Sequence, residues 1–318
     1  MVSLLGLQPG TYEPHPLHRG GQTYTETNCY TDIIIELLHA RGDEAVAALG
    51  TTVRLDFEGD QWTFFKPSPN DLELLFGVDI HEMQPYRAIP AQIEELIGAG
   101  RTMIVELDSW YLPDTIATSY RTEHVKTSVV AEAIDPAGEK FRYFHNTSLH
   151  ELRDEDYRGV FRLAPSSPAD DVLPPYAELV RFDAGPRLHG DALRAAARES
   201  FRQHLRCAPA DNPFDRFRAR FQQDLPALLS ADAAEYHAYA FATLRMAGAG
   251  FQLLAAHVDW LLGPAGERAS AALRRIVDTS RLLNLKLARR RPFDADASMD
   301  ELSAAWGEAL ADLHALPS

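Results

Sequence analysis

Three residues have the types and the chain order that a cysteine-dependent acyl-transfer site requires: Cys29, His124 and Asn146. A thiolate nucleophile needs a base or an ion-pair partner, and the base needs an orienting acceptor on its other ring nitrogen. A thiol supplies the first role, an imidazole the second and a carboxamide the third. The sequence therefore predicts acyl transfer through a thioester on Cys29.

Cys29 stands at the predicted start of a helix. In the string ETNCYTDIIIELLHARG, Thr27 or Asn28 can cap a helix that has an apolar stripe and stops at Gly42. The unpaired N–H groups and the positive dipole end of a first helical turn favour thiolate over thiol. This position favours a reactive cysteine over a buried, inert one, although the inert kind is the commoner for a lone cysteine.

His124 and Asn146 are predicted to meet across a β-hairpin. His124 opens the run HVKTSVVAEAI, a turn follows at 135–138, and the run FRYFHN ends at Asn146. The start of the first strand and the end of the second are neighbours in an antiparallel pair, so we expect contact between the two side chains. Asp135 is the alternative orienting residue, although Asp-Pro-Ala-Gly is ordinary turn chemistry. His145 points to the opposite strand face and is expected to be structural.

This order of residues resembles the papain-like fold over about residues 20–150. Papain-like enzymes have a cysteine at the start of the first long helix, a histidine opening a strand and an asparagine or aspartate that holds the imidazole. The resemblance implies that Cys29 is the nucleophile, His124 the base and Asn146 the orienting residue.

The oxyanion donor departs from the papain pattern. Papain-like proteases carry a glutamine six residues before the cysteine, whereas here that position is Thr23 and Gln22 lies seven residues before. Gln22 is the candidate donor, together with the backbone N–H of Cys29 and support from Asn28.

A second resemblance covers most of the chain. The strings PHPLHRG, ETNCYTD, DFEGDQWTFFK, YLPDT and SYRTEHVKT are similar to those of an uncharacterised bacterial family. Members tend to occur beside amino acid:carrier-protein ligases and small carrier proteins, and the two-part layout resembles butirosin-type acyltransferases. The resemblance implies a transferase that takes an acyl or aminoacyl group from the phosphopantetheine arm of a carrier protein. It implies no directly bound cofactor, and a small-molecule or protein acceptor.

Two strings are candidates for substrate binding. In DFEGDQWTFFKP, the carboxylates of Asp56, Glu58 and Asp60 would bind an amine beside an aromatic run that begins at Trp62; alternatively, the string is a β-hairpin that turns at Gly59. Tyr120 lies in the loop just before the histidine strand and is the other candidate. The string is predicted to line an acceptor pocket, whereas the loop that ends at Tyr120 is predicted either to cover the site as a lid or simply to connect two elements.

Charge indicates the kind of partner. The net charge of −15 argues against nucleic-acid binding, which clustered Lys and Arg drive. Residues 187–291 differ from the rest, with seventeen basic and ten acidic side chains. This block would steer and hold an acidic carrier protein. The alternative is that its arginines pair with acidic side chains of the first domain.

Location and metal content are predicted from what the chain does not contain. No run approaches the roughly 18 apolar residues of a membrane span, and the N-terminus has no signal-peptide pattern, so we expect a cytoplasmic protein without membrane contact. Cys29 and Cys207 do not form a disulfide framework. His15 and His18 have metal-ligand spacing but no third ligand, so no metal is predicted.

The fold class is predicted to be α+β. Short β-branched and aromatic runs occur at Thr102–Leu107, Val125–Ala133 and Lys140–Phe144. The Gly-Pro pair at 185–186 divides a papain-like catalytic domain, residues 1–185, from an all-α helical bundle, residues 186–318. The helices are predicted at about 190–206, 212–229, 232–262, 265–290 and 299–315.

Three functions agree with these patterns. The first is a cysteine acyltransferase, and the second is a papain-like thioesterase or peptidase with the same three residues and water as acceptor. The third is a non-catalytic module that binds a loaded carrier protein while Cys29 is inert.

Overall fold

The computed structural model describes residues 1–26, 28–163 and 174–315, and the chain divides into two compact units. The sheet unit consists of Met1–Arg19, Cys29–Ala45 and Leu72–Arg187. The helical unit consists of Gly20–Asn28, Val46–Asp71 and Leu188–Ser318. None of the described helices is long and apolar enough to cross a membrane.

The strands and helices follow in chain order. The strands are β1 (Val2–Ser3), β2 (Phe57–Glu58), β3 (Gln61–Trp62), β4 (Asp79–Met83), β5 (Thr102–Asp108), β6 (Lys126–Asp135), β7 (Lys140–His145), β8 (Ser148–Arg153) and β9 (Ala177–Arg181). The helices are α1 (Cys29–Ala40), α2 (Pro69–Phe76), α3 (Ile89–Gly98), α4 (Asp154–Val160), α5 (Gly190–Arg206), α6 (Pro213–Leu228), α7 (Ala233–Ala240), α8 (Met246–Leu262), α9 (Glu267–Ala288) and α10 (Asp296–Ala315). A π-helix, Phe241–Arg245, joins α7 to α8, and a 3-10 segment covers Ala45–Arg54.

An antiparallel sheet forms the centre of the sheet unit. Its strand order is β4-β9-β5-β6-β7-β8, and β1 pairs with β6. Helix α1 packs on β6 and β7, while α3 and α4 pack on the opposite face against a buried apolar cluster. The three predicted β-runs are strands β5, β6 and β7, so the α+β prediction is confirmed. Alternating side chains of these strands supply both faces with core residues.

The helical unit includes a hairpin from the first half of the sequence. Strands β2 and β3 pair through a turn at Gly59, whose φ of 66° suits glycine. The predicted alternative, a hairpin with a Gly59 turn, is therefore what the segment forms. Phe57 and Trp62 face each other on this hairpin, 5.6 Å between ring centroids, and both contact Phe217 of α6.

The predicted domain boundary agrees with the structure only in part. The chain passes into the helical unit after Arg187, two residues beyond the predicted end of the first domain. The segments 20–28 and 46–71 also belong to the helical unit, although the sequence assigns them to residues 1–185. Their apolar side chains pack on helices that come much later in the chain, as Trp62 does on Phe251 of α8.

The N-terminal segment is fastened to α1 by a buried polar cluster. His18 bonds to Glu36 through Nδ1 and lies 3.3 Å from Asp32 Oδ1 through Nε2. Glu36 is fully buried, and it also accepts bonds from the His15 backbone N–H at 3.0 Å and from the Tyr12 hydroxyl. The paired histidines of PHPLHRG therefore hold the segment onto the helix that begins at Cys29. Within the described ranges, no group of three or more His, Cys, Asp or Glu residues is arranged to bind a metal.

The His18 cluster predicts weaker folding above neutral pH. Burial alone would lower the pKa of His18, but bonds to Asp32 and Glu36, and their charges, raise it from 6.5 to about 9. A raised pKa means that folding takes up a proton, so the stabilisation is complete below about pH 6.5 and is lost as pH rises through 9. The urea concentration at the midpoint of unfolding should therefore decrease as the pH rises from 6.5 to 9. A midpoint that rises over this interval would contradict the assignment.

Candidate functional site

The imidazole of His124 is oriented by Asp108. Asp108 is the last residue of β5, and His124 lies two residues before β6, so the antiparallel pairing brings them together. His124 Nδ1 lies 2.6 Å from Asp108 Oδ2. The ring stacks on Trp110, with centroids 4.5 Å apart and planes at 9°. With Nδ1–H directed at the carboxylate, Nε2 is the nitrogen left for proton transfer.

The predicted contact between His124 and Asn146 is replaced by this bond. In the β6–β7 register, Val130 faces Phe144, and continuing that register sets Asn146 opposite residue 128. His124 is four residues further along, a distance of roughly 13 Å at the usual rise of a strand. Asn146 instead begins the two-residue turn between β7 and β8, with a φ of 49° that asparagine tolerates.

Asp135, the alternative orienting residue, is also placed elsewhere. It pairs with Lys140 at the far end of the β6–β7 hairpin, and its side chain accepts the Gly138 N–H at 3.0 Å. That is the turn chemistry which the sequence offered as the competing interpretation. The sequence does contain a signal for Asp108: an acidic residue that ends the strand before a histidine strand reaches the same sheet edge in an antiparallel pair.

A pocket of about 490 Å³ surrounds the end of β5 in the sheet unit. The Asp108–His124 pair lies in its wall together with Lys126, which forms an ion pair with Glu106 at 2.6 Å. Its apolar lining is contributed by Ile89, Leu107, Tyr111, Val125, Val160, Phe161, Pro174, Pro175 and Tyr176. This size and mixture are typical of a small-molecule site.

A shared carboxylate connects this pocket to the start of α1. Glu178 accepts a hydrogen bond from the Tyr30 hydroxyl at 2.7 Å and one from the Tyr176 hydroxyl at 2.8 Å. Burial, and secondly the nearby Glu178 carboxylate, raise the pKa of both tyrosines, that of Tyr30 strongly and that of Tyr176 to about 12. Both hydroxyls therefore stay protonated and can donate. Tyr176 lines the pocket, and Tyr30 directly follows Cys29. The first turn of α1 is therefore tied to the pocket wall.

Cys29 is the first residue of α1 and is a partly exposed free thiol. The helix ends two residues before Gly42, which has a φ of 77°, so the predicted stop is confirmed. Asn28 is buried and donates from its side-chain amide to the Phe65 carbonyl at 2.6 Å. The other proposed cap, Thr27, lies outside the described residues. Gln22, the candidate oxyanion donor, is exposed.

The four predicted substrate-binding residues have different surroundings. Asp56 bonds to Arg216 of α6, and Tyr120 donates to Asp156 at 3.0 Å, so both stabilise local structure. Glu58 and Trp62 line a separate pocket in the helical unit.

His145, the last residue of β7, is buried, as predicted for a structural residue. Its Nδ1 lies 2.5 Å from Asp114, and its Nε2 lies 2.8 Å from the Thr127 hydroxyl. Tyr143 donates to the same carboxylate at 2.5 Å. Burial would raise the pKa of Asp114, but the bonds from His145 and Tyr143 and nearby histidine charge lower it. The cluster anchors the YLPDT turn to strands β6 and β7.

Comparison with known proteins identifies a family but no curated relative. A search of curated proteins finds no match. Residues 13–182 match the model of the DUF1839 N-terminal domain, and residues 190–315 match that of the DUF1839 C-terminal domain. The two models together cover most of the sequence, and the gap between them includes the change of unit after Arg187. The chain belongs to the DUF1839 family.

Proposed function

We propose that the protein is a cysteine-dependent acyltransferase in which Cys29 is the nucleophile, His124 the base and Asp108 the orienting residue. The observation that carries this proposal is the Glu178 carboxylate, which binds both the Tyr30 hydroxyl and the Tyr176 hydroxyl. It fastens the residue after Cys29 to the pocket that contains His124 and Asp108. These residues all belong to the sheet unit, so their spacing is set by the same core.

The reaction has two balanced steps. Cys29 sulfur attacks the carbonyl carbon of a carrier-protein thioester, while His124 takes the thiol proton and passes it to the departing pantetheine sulfur. An acceptor amine then attacks the Cys29 thioester, His124 takes the amine proton, and the Cys29 sulfur leaves and recovers it. Asp108 stabilises the imidazolium that forms in each step.

The first turn of α1 supports the transition state. The backbone N–H of Cys29 lies at the positive end of the helix dipole, where it can donate to a developing oxyanion. Cys29 is the first residue of that turn. Because thioester exchange is nearly thermoneutral, positioning and oxyanion stabilisation are the main contributions that the protein must supply.

Hydrolysis is the second candidate. The His124 side chain is 65% exposed, which gives water access to the base. A thioesterase or peptidase would use the same residues and differ only in the acceptor. Product analysis separates the two reactions, because hydrolysis releases a free acid and transfer to an amine forms an amide.

The donor is proposed to be an acidic acyl or aminoacyl carrier protein. Several arginines of the basic block pair inside the helical unit: Arg274 with Asp259, and Arg275 with Glu301 and Glu308. These pairs reduce the surface available for a carrier. The basic end of α9 differs, because Arg281 and Arg289–Arg291 have no ion pair within the described ranges and flank the exposed Leu282 and Leu285.

Charge reversal at this end of α9 should weaken carrier binding. We expect an Arg281→Glu/Arg289→Glu variant to bind a loaded acidic carrier protein about tenfold more weakly at low salt, with a smaller loss at high salt. Surface plasmon resonance at two ionic strengths measures this. An Arg268→Glu/Arg274→Glu variant, which changes the net charge by the same amount in the first half of α9, is the control and should keep most of the affinity. Equal losses in both variants would point to net charge rather than a docking surface.

The decisive experiment is intact mass spectrometry after mixing the protein with an aminoacyl-loaded carrier protein. Wild type should gain the acyl mass, and the Cys29→Ala variant should not. Cys207→Ala is the matched control, since Cys207 is the other free thiol. Loss of the carrier's load without an adduct would indicate rapid hydrolysis. An unchanged load across several aminoacyl groups would instead favour the non-catalytic carrier-binding module.

A further inference from the structure

A second pocket lies wholly within the helical unit. It measures about 360 Å³ and lies between the β2–β3 hairpin and the π-helix. Its lining residues are Glu58, Gln61, Trp62, Thr63, Phe64, Phe241, Ala242 and Met246. A cavity of about 280 Å³ shares Gln61 and Ala242 with it and adds Asp60, Glu235 and Tyr239 among its lining residues. The larger volume alone is within the range of small-molecule sites.

Aromatic surface is left open to solvent at this pocket. Phe64 is 53% exposed and Phe241 is 41% exposed, one on the hairpin side and one on the π-helix. Leaving two phenyl rings in water forgoes the gain from burying them. The π-helix is itself a rare element that occurs often at functional sites. The pocket therefore offers two ring faces to an apolar group.

The charge around these rings is mainly negative. Glu58, Asp60 and Glu235 form no ion pair within the described ranges. Three guanidinium groups lie in the same region: Arg216 pairs with Asp56, Arg220 pairs with Asp224 and also interacts electrostatically with Asp60, and Arg245 lies 5.7 Å from the Phe241 centroid. Unpaired carboxylates beside aromatic faces are the surroundings that an organic ammonium ion prefers.

A buried donor at the pocket also has no partner. Trp62 is only 3% exposed, and its indole N–H makes no hydrogen bond among the described residues. The neighbouring cavity is lined by Tyr239, whose hydroxyl is likewise unpartnered. Such groups are uncommon in proteins because an unsatisfied buried donor is costly. Trp62 lies in the wall of the larger pocket, so a bound ligand would change the surroundings of its indole.

We propose that this pocket binds a primary ammonium ion carried on an apolar or aromatic body, with the ammonium group against Glu58 and the body between Phe64 and Phe241. The site is argued from the helical unit alone, and it stands whether or not Cys29 transfers acyl groups.

The test uses three matched probes on the undivided chain. Phenethylamine carries the ammonium group, 2-phenylethanol replaces it with a hydroxyl, and 3-phenylpropionate replaces it with a carboxylate. Saturation-transfer NMR and calorimetric titration should detect phenethylamine binding, with the alcohol and the acid about tenfold weaker or more. Equal binding of the alcohol, or no binding of the amine at millimolar concentration, would overturn the proposal.

Substitutions at two exposed positions test whether the amine binds in this pocket. Glu58→Gln and Phe64→Ala should each weaken phenethylamine binding about tenfold, the first through lost charge and the second through lost ring contact. Asp211→Asn, an exposed carboxylate outside the pocket lining, is the control and should bind like wild type. The Trp62 indole resonance in the amide spectrum should move on binding. An unmoved resonance with both pocket variants unaffected would mean that the amine binds elsewhere.

Discussion

An Asp108→Asn variant should form its acyl-enzyme about 10³- to 10⁴-fold more slowly than wild type while remaining folded. The carboxylate lies 2.6 Å from His124 Nδ1, where it stabilises the imidazolium and fixes the tautomer. An asparagine amide has nearly the same shape but no charge, and it can direct its NH₂ group at the ring. Single-turnover mass spectrometry with a loaded carrier protein measures the rate.

The matched control is Asn146→Gly. Glycine adopts the positive φ of this turn without strain, so the variant removes only the carboxamide side chain. The rate of acyl-enzyme formation should stay within about twofold of wild type, since the imidazole is held by Asp108. A loss at Asn146 as large as at Asp108 would restore the orienting role that the sequence predicts. Unchanged rates in both variants, with Cys29 still acylated, would exclude a base oriented in this way.

His18→Ala should lower the free energy of unfolding by about 3–5 kcal/mol at pH 6.5. The substitution removes the imidazolium that lies between Asp32 and Glu36, and Glu36 is fully buried. Two carboxylates would then lack their shared cation, and the N-terminal segment would lose its attachment to α1. Urea denaturation followed by circular dichroism measures the change.

Arg19→Ala is the control for that measurement. Arg19 is the next residue and carries a full charge, but its ion pair with Glu13 is exposed at 3.6 Å. Exposed pairs contribute about 0–1 kcal/mol, so the variant should stay within that range. If His18→Ala lowered the free energy of unfolding by no more than Arg19→Ala, the buried cluster would stabilise the fold no more than an exposed ion pair does.

The elements were predictable from sequence because their signals are local. Apolar periodicity identified the helices after residue 190, and β-branched runs identified β5, β6 and β7. The start of α1 at Cys29 and its stop before Gly42 depend on capping and on one positive φ, which are also local properties.

The partner of His124 was not predictable in the same way. The contact with Asn146 assumed that the hairpin brings the start of β6 level with the end of β7, but β6 extends well past that point. Strand register depends on the turn position and on a bulge between Ala131 and Ala133, and neither can be read from residue types. The hydrogen-bond partner of His124 comes from β5 instead.

Which segments belong to which unit was difficult to predict for a similar reason. The aromatic string around Trp62 predicts a hairpin but does not say which core the hairpin joins. Its partners, such as Phe214, lie about 150 residues later in the sequence. Only the packed structure reveals that these rings complete the helical unit.

The interleaving of the two units also sets the order in which the protein can fold during synthesis. The chain passes between units at residues 19/20, 28/29, 45/46, 71/72 and 187/188. The hairpin rings of Phe57 and Trp62 leave the ribosome long before Phe217 and Phe251 exist to cover them. A nascent chain that ends at residue 187 therefore exposes aromatic surface of the kind that chaperones bind. A chain truncated at the same point would leave these rings uncovered, because neither half of the sequence corresponds to one complete unit.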